Sequence, residues 1–113
     1  MTQTETDPNG LSANELGAKL DAGKPMAGRV LGQFSNALTE VAKVGTFGIN
    51  KYSEGSWPHV PDGFKRYDDA GMRHFLDRHS GEEIAPDSGL LHLAHEAWNA
   101  LAKLEVYLRA NKD

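Results

Sequence analysis

Apolar residues recur at helical spacing in three stretches of the chain. Val30, Phe34, Leu38, Val41 and Val44 follow steps of three and four residues and predict an amphipathic helix from about Val30 to Lys51, with Glu40 and Lys43 off the stripe. Gly45 and Gly48 weaken its later turns by roughly 1 kcal/mol each relative to alanine. Either the helix ends near Gly45, or small residues there let a backbone or ligand approach closely. Phe64, Tyr67, Gly71, His74 and Phe75 share one face of a second helix, Phe64 to His79, while Asp69, Arg73 and Asp77 form an i, i+4 ladder on another. A third helix is predicted from Asp87 to Arg109, with Asp87 or Ser88 as its N-cap. Leu93, Ala94, Ala97, Leu101, Leu104 and Leu108 fall on one side of it. His92, His95, Glu96 and Asn99 gather within an arc of roughly 100° on the other.

Between these stretches the signals are weaker. Ser12 and Glu15 have capping-box spacing and predict a short helix, Ala13 to Leu20, which Gly23-Lys24-Pro25 stops. Residues 52–63 contain Gly55, Pro58, Pro61 and Gly63 and read as a loop around Trp57. No strand pattern is present. The expected fold is all-α: a small bundle of three longer helices plus a short N-terminal helix. So thin a bundle is expected to complete its core by pairing with a second copy, as a homo-oligomer.

Length and composition narrow this picture. At 113 residues the chain suits one domain, here expected as a polar, disordered lead-in over 1–11 and a single helical domain over 12–113. No apolar run approaches the roughly 20 residues of a membrane span, and no secretory signal precedes the first helix. The absence of cysteine excludes disulfides, zinc–thiolate sites and cysteine nucleophiles. A cytoplasmic location is expected. The net charge is −4 and the twelve Lys and Arg residues are scattered, which argues against nucleic acid as the main partner. A small anionic ligand held through a divalent cation is compatible with an acidic chain.

The common catalytic signatures GxGxxG, Walker A, HExxH and GxSxG are all missing. What remains is a set of histidines and carboxylates. His92 and His95 stand at i, i+3 and can converge on one ion. Glu82, Glu83 and Asp87 cluster before the last helix, where acidic groups also stabilise without any function. His74 lies within an aromatic stripe, as a buried core histidine or as a ligand or acid/base group. Trp57 either folds back over a core edge or stacks on a base. The polar side of the last helix is either a wet surface or half of a site shared with the helix before it.

An ordered series of motifs resembles a known family. Gly17-Ala18-Lys19-Leu20-Asp21-Ala22-Gly23-Lys24-Pro25 is followed by Glu40-Val41-Ala42, Gly48-Ile49-Asn50-Lys51-Tyr52 and Ser56-Trp57. Arg66-Tyr67-Asp68-Asp69-Ala70, Arg73-His74, Gly81-Glu82, Asp87-Ser88-Gly89-Leu90, His92-Leu93-Ala94-His95 and Asn99 complete it. The series is similar to the phage-borne dATP/dGTP diphosphohydrolase N-terminal-type family, over about residues 17–105. That resemblance implies a mostly helical protein acting on deoxynucleoside triphosphates in an infected host's cytoplasm. It also implies kinship with the MazG-type enzymes, which cleave a dNTP to dNMP and pyrophosphate with magnesium. Those enzymes carry ExxE and ExxD motifs, whereas here Glu40 is followed three residues on by Lys43, and the last helix offers His92 and His95.

On this reading Glu40, Asp69 and His74 are the expected catalytic residues, and Glu82, Asp87, His92 and His95 the expected ligands of a divalent metal, magnesium or manganese. Lys24, Lys51, Arg66 and Arg73 would hold phosphates, Tyr52 or Trp57 would stack on the base, and Asn99 would contact substrate. The departure from ExxE and ExxD motivates an alternative, a non-catalytic protein that binds or sequesters a nucleotide or a host protein.

Overall fold

The computed structural model describes residues 4–112. The described part is all-helical, with α1 (Ala27–Leu31), α2 (Ser35–Lys51), α3 (Gly63–His79) and α4 (His92–Ala110), and 3-10 turns at Gly32–Phe34 and Trp57–His59. The sole extended pairing among the described residues is an isolated antiparallel bridge between Ile84 and Leu91. None of the described helices is long and apolar enough to cross a membrane. The chain divides between Gln33 and Phe34 into two compact units.

The first unit holds turns and the short helix α1. Residues 1–3 of the expected lead-in lie outside the described residues. The helix expected from Ala13 to Leu20 is absent; turns occupy that stretch, and the short helix falls at Ala27–Leu31. Ser12 and Glu15 do pair, the Ser12 N–H donating to the Glu15 carboxylate at 2.9 Å, but no helix propagates from them. The carboxylate of Asp7, buried here, explains why. It accepts the backbone N–H groups of Asn9 at 2.7 Å and Lys19 at 2.7 Å, fixing a loop that a helix over 13–20 would break. These bonds hold the Asp7 carboxyl below its ordinary value, the Lys19 N–H being the largest cause.

In the second unit α4 packs between α3 and the C-terminal half of α2, with the α3–α4 pairing the more extensive. Tyr67, Ala70, Gly71, His74 and Arg78, all half-buried, repeat every three or four residues on α3. They meet the buried His92, His95, Asn99 and Ala102 of α4. A Cβ at Gly71 would stand 3.2 Å from the Asn99 Cβ, so this glycine lets the two helices close. Helix α2 runs through Gly45 and Gly48 to Lys51, and a Cβ at Gly45 would meet the Trp98 indole at 3.3 Å. The helix does not end near Gly45; there a side chain, the Trp98 indole, comes close in place of a backbone or ligand, and Gly48 has open space around it.

Helix α4 starts at His92, five residues later than expected, and neither Asp87 nor Ser88 caps it. Both are committed to a loop in which the Ala85 N–H bonds the Leu90 carbonyl at 2.8 Å and the His92 N–H bonds the Glu83 carbonyl at 3.0 Å. Gly81 and Gly89 adopt left-handed φ of 106° and 73°, which lets this loop fold back around the buried Ala85. The faces of α4 are also unusual. Leu93, Leu101, Leu104 and Leu108 remain 49–56% exposed, while His92, His95 and Asn99 are buried. The polar side of this helix therefore faces α3, and the leucine side faces outward.

Candidate functional site

Three imidazoles meet where α4 begins. The His74 ring stacks on His95 with centroids 4.2 Å apart and planes within 9°. Its Nδ1 lies 2.8 Å from the Nδ1 of His92. His92 Nε2 lies 2.7 Å from a Glu82 carboxylate oxygen, and His95 Nε2 lies 2.7 Å from the Ser88 hydroxyl. A carboxylate only accepts, so His92 Nε2 is the donor to Glu82, and one N–H bridges the two Nδ1 atoms of His74 and His92.

Burial disfavours the charged form of two of these rings. It is the largest cause holding His95 down, to about 4 from an ordinary 6.5, with the neighbouring His74 next. His74 is lowered by the same two effects, burial first and then His92. Asp87 opposes both shifts, which puts its charge close to the cluster. Around the rim, Phe47 of α2 meets His95 edge-on at 6.3 Å. Lys51 Nζ stands 5.6 Å above the Phe47 ring, 5.4 Å above the Tyr52 ring and 3.9 Å from Asp87. Arg78 grips Glu96 with two bonds of 2.6 and 3.0 Å, tying α3 to α4 and holding the Glu96 carboxyl low.

The expected site residues thus divide. His74, His92, His95 and Glu82 come together, with Asp87 and Lys51 beside them. Arg73 neighbours His74 on α3 and acts on its titration. Asn99 is buried and donates to the His95 carbonyl at 2.8 Å, bracing the helix under the cluster. Others are engaged elsewhere. Glu40 pairs with Lys43 at 2.8 Å, Lys24 with Glu5 in the first unit at 2.6 Å, and Arg66 donates to the Pro61 carbonyl at 3.3 Å. Asp69 is exposed on α3, and no ion pair joins Asp69, Arg73 and Asp77, so the expected ladder does not form. Trp57 folds back against Tyr67 and Trp98 at 6.2 and 5.9 Å, its carbonyl accepting the Tyr67 hydroxyl at 2.7 Å. Tyr52 is largely exposed.

Two participants escape sequence reasoning. Ser88 holds His95 in place of capping a helix. Asp77 joins Glu82 and His92 in a group whose ligand atoms all lie within 4.8 Å of one another. Its position three residues after His74, on the same turn of helix, is the signal that could have found it. Two carboxylates and one imidazole suit a divalent ion of intermediate hardness. Asp87 and His95 stand outside this trio.

Comparison with known proteins gives one match, a family model described as dATP/dGTP diphosphohydrolase, N-terminal, over residues 14–113. No curated protein and no solved structure matches. The chain belongs to the dATP/dGTP diphosphohydrolase N-terminal family.

Proposed function

We propose that this chain is a metal-dependent diphosphohydrolase for purine deoxynucleoside triphosphates in phage nucleotide metabolism, with the imidazole cluster between α3 and α4 as its site. The observation that carries the reading is the packing of three imidazoles, two of them buried, beside Glu82, while the leucines of α4 stay outside. Burying polar rings in place of leucines sacrifices stability, and strongly perturbed groups gathered in this way are characteristic of sites that do chemistry.

Hydrolysis splits the α–β phosphate bridge with water, giving dNMP and pyrophosphate and releasing one proton. With His92 Nε2 given to a metal ion, His92 would donate from Nδ1 to His74 Nδ1, and the Nε2–H of His74 would donate to the charge developing on the phosphates. The proton released would leave to solvent water. A divalent ion, when bound, would neutralise phosphate charge and position the attacking water. Lys51 and Arg73 are the nearest cations of the expected phosphate set, and the 3.9 Å spacing of Lys51 from Asp87 is loose enough for a phosphate to displace.

The test is incubation of the purified chain with each of the four dNTPs and magnesium or manganese, followed by separation of products. dAMP and dGMP with pyrophosphate are expected, with the pyrimidine nucleotides cleaved more slowly. Absence of turnover for every triphosphate overturns the reading. A rise in melting temperature with nucleotide but no turnover would instead favour the non-catalytic binder, for which the Glu40–Lys43 pair in place of an ExxE motif speaks.

A further inference from the structure

We infer that Asp77, Glu82 and His92 bind one first-row transition-metal dication, and that His74 is a positioning residue for the His92 ligand. The inference deepens the proposed function, which needs a cation beside the triphosphate, but binding can be measured without nucleotide. Asp77 lies at the last turn of α3, Glu82 in the loop that follows, and His92 at the first residue of α4. The Glu82 N–H donates to the Asp77 carbonyl at 3.1 Å and the His92 N–H to the Glu83 carbonyl at 3.0 Å, so the backbone fixes the three ligands relative to one another. The carboxylates of Asp77 and Glu82 are exposed, so ions reach them from solvent, whereas His92 is only 2% exposed and forms the rigid floor.

Metal-bound histidines characteristically use one nitrogen for the ion and the other for an oriented partner. His92 has this arrangement, Nε2 facing Glu82 and Nδ1 facing His74. Magnesium favours oxygen ligands and retains water, while an imidazole adds affinity for manganese, iron, cobalt or zinc. The donor set therefore selects a transition-metal ion over magnesium.

The experiment titrates the full chain, stripped with chelator, with manganese(II) alone, reading free ion by electron paramagnetic resonance. One manganese per chain is expected, bound at least about tenfold more tightly than magnesium. Asp77→Asn and Glu82→Gln should each weaken it at least about tenfold, while Glu83→Gln, the same loss of charge one residue away, should leave it unchanged. His74→Gln should lower manganese affinity about 10- to 100-fold and spare magnesium, which the carboxylates hold without the ring. No saturable binding up to millimolar manganese overturns the site, as does an equal effect of Glu83→Gln and Glu82→Gln. Equal loss of both ions in His74→Gln overturns its positioning role. A chain that binds manganese as described but turns over no triphosphate keeps the site and loses the proposed function. Turnover that survives Asp77→Asn and Glu82→Gln does the reverse.

Discussion

Lowering the pH from 7.5 to 5.5 should destabilise the second unit, because His95 takes up a proton when it unfolds and not while it is folded. Its folded value is about 4, against an ordinary 6.5. A lowered histidine contributes full stability above its unfolded value and loses it as the pH falls toward the folded one. At pH 5.5 the unfolded ring is about nine-tenths protonated and the folded ring almost bare, a loss of about 1.4 kcal/mol, growing to about 3 kcal/mol below pH 4. His74, lowered for the same reasons, adds in the same direction. Glu96 acts separately: Arg78 holds its carboxyl low, so its contribution is present above the usual carboxylate range and disappears only as the pH falls through it. Urea unfolding in chelator, followed by emission from Trp57 and Trp98, both in the second unit, reads the difference directly. His95→Gln should flatten most of the slope between pH 7.5 and 5.5. Wild-type stability unchanged to within about 0.5 kcal/mol over that range would refute the reasoning, as would a variant with an undiminished slope.

Other outcomes follow from particular contacts. Gly71→Ala should cost about 1–3 kcal/mol, because its Cβ meets Asn99 at 3.2 Å across two packed helices. Gly48→Ala, with open space around it, should instead gain up to about 1 kcal/mol in the same melts. Glu96→Ala should cost roughly 1.5 kcal/mol, and a double-mutant cycle with Arg78→Ala should show that most of this is shared between the two residues. The half-exposed leucines of α4 are expected to meet a second copy, so Leu104→Glu should convert a sedimenting oligomer to monomer; a wild-type chain that sediments as a monomer contradicts this.

Much of this fold is legible from spacing alone. The stripe on α3 places that helix to within one residue, whereas the helix expected from Val30 is interrupted at Gly32–Phe34 and α2 starts only at Ser35. The start of α4 is not legible in this way, since Ser88 looks like a cap until the fold supplies His95 as a better partner. Nor is the absent helix over 13–20, whose capping box forms while Asp7, twelve residues from Lys19, captures the backbone for a loop. The sequence groups His92, His95, Glu96 and Asn99 correctly on one side of a helix, yet periodicity cannot say which side is buried. Here the polar side is covered and the leucine side is not. Asp77 was hidden for a similar reason: on a helical wheel it belongs to a charged ladder, and only the turn after α3 brings Glu82 and His92 to it.

The central claim is that the imidazole cluster carries out triphosphate hydrolysis, with His74 donating to the charge that develops on the phosphates. Initial rates of dGMP formation by wild type and His74→Gln, in chains shown by their melts to be folded, test it most directly. A loss of about 100-fold or more in the variant is the expected result for removal of a donor to transition-state charge. A variant that hydrolyses dGTP at the wild-type rate would contradict the account.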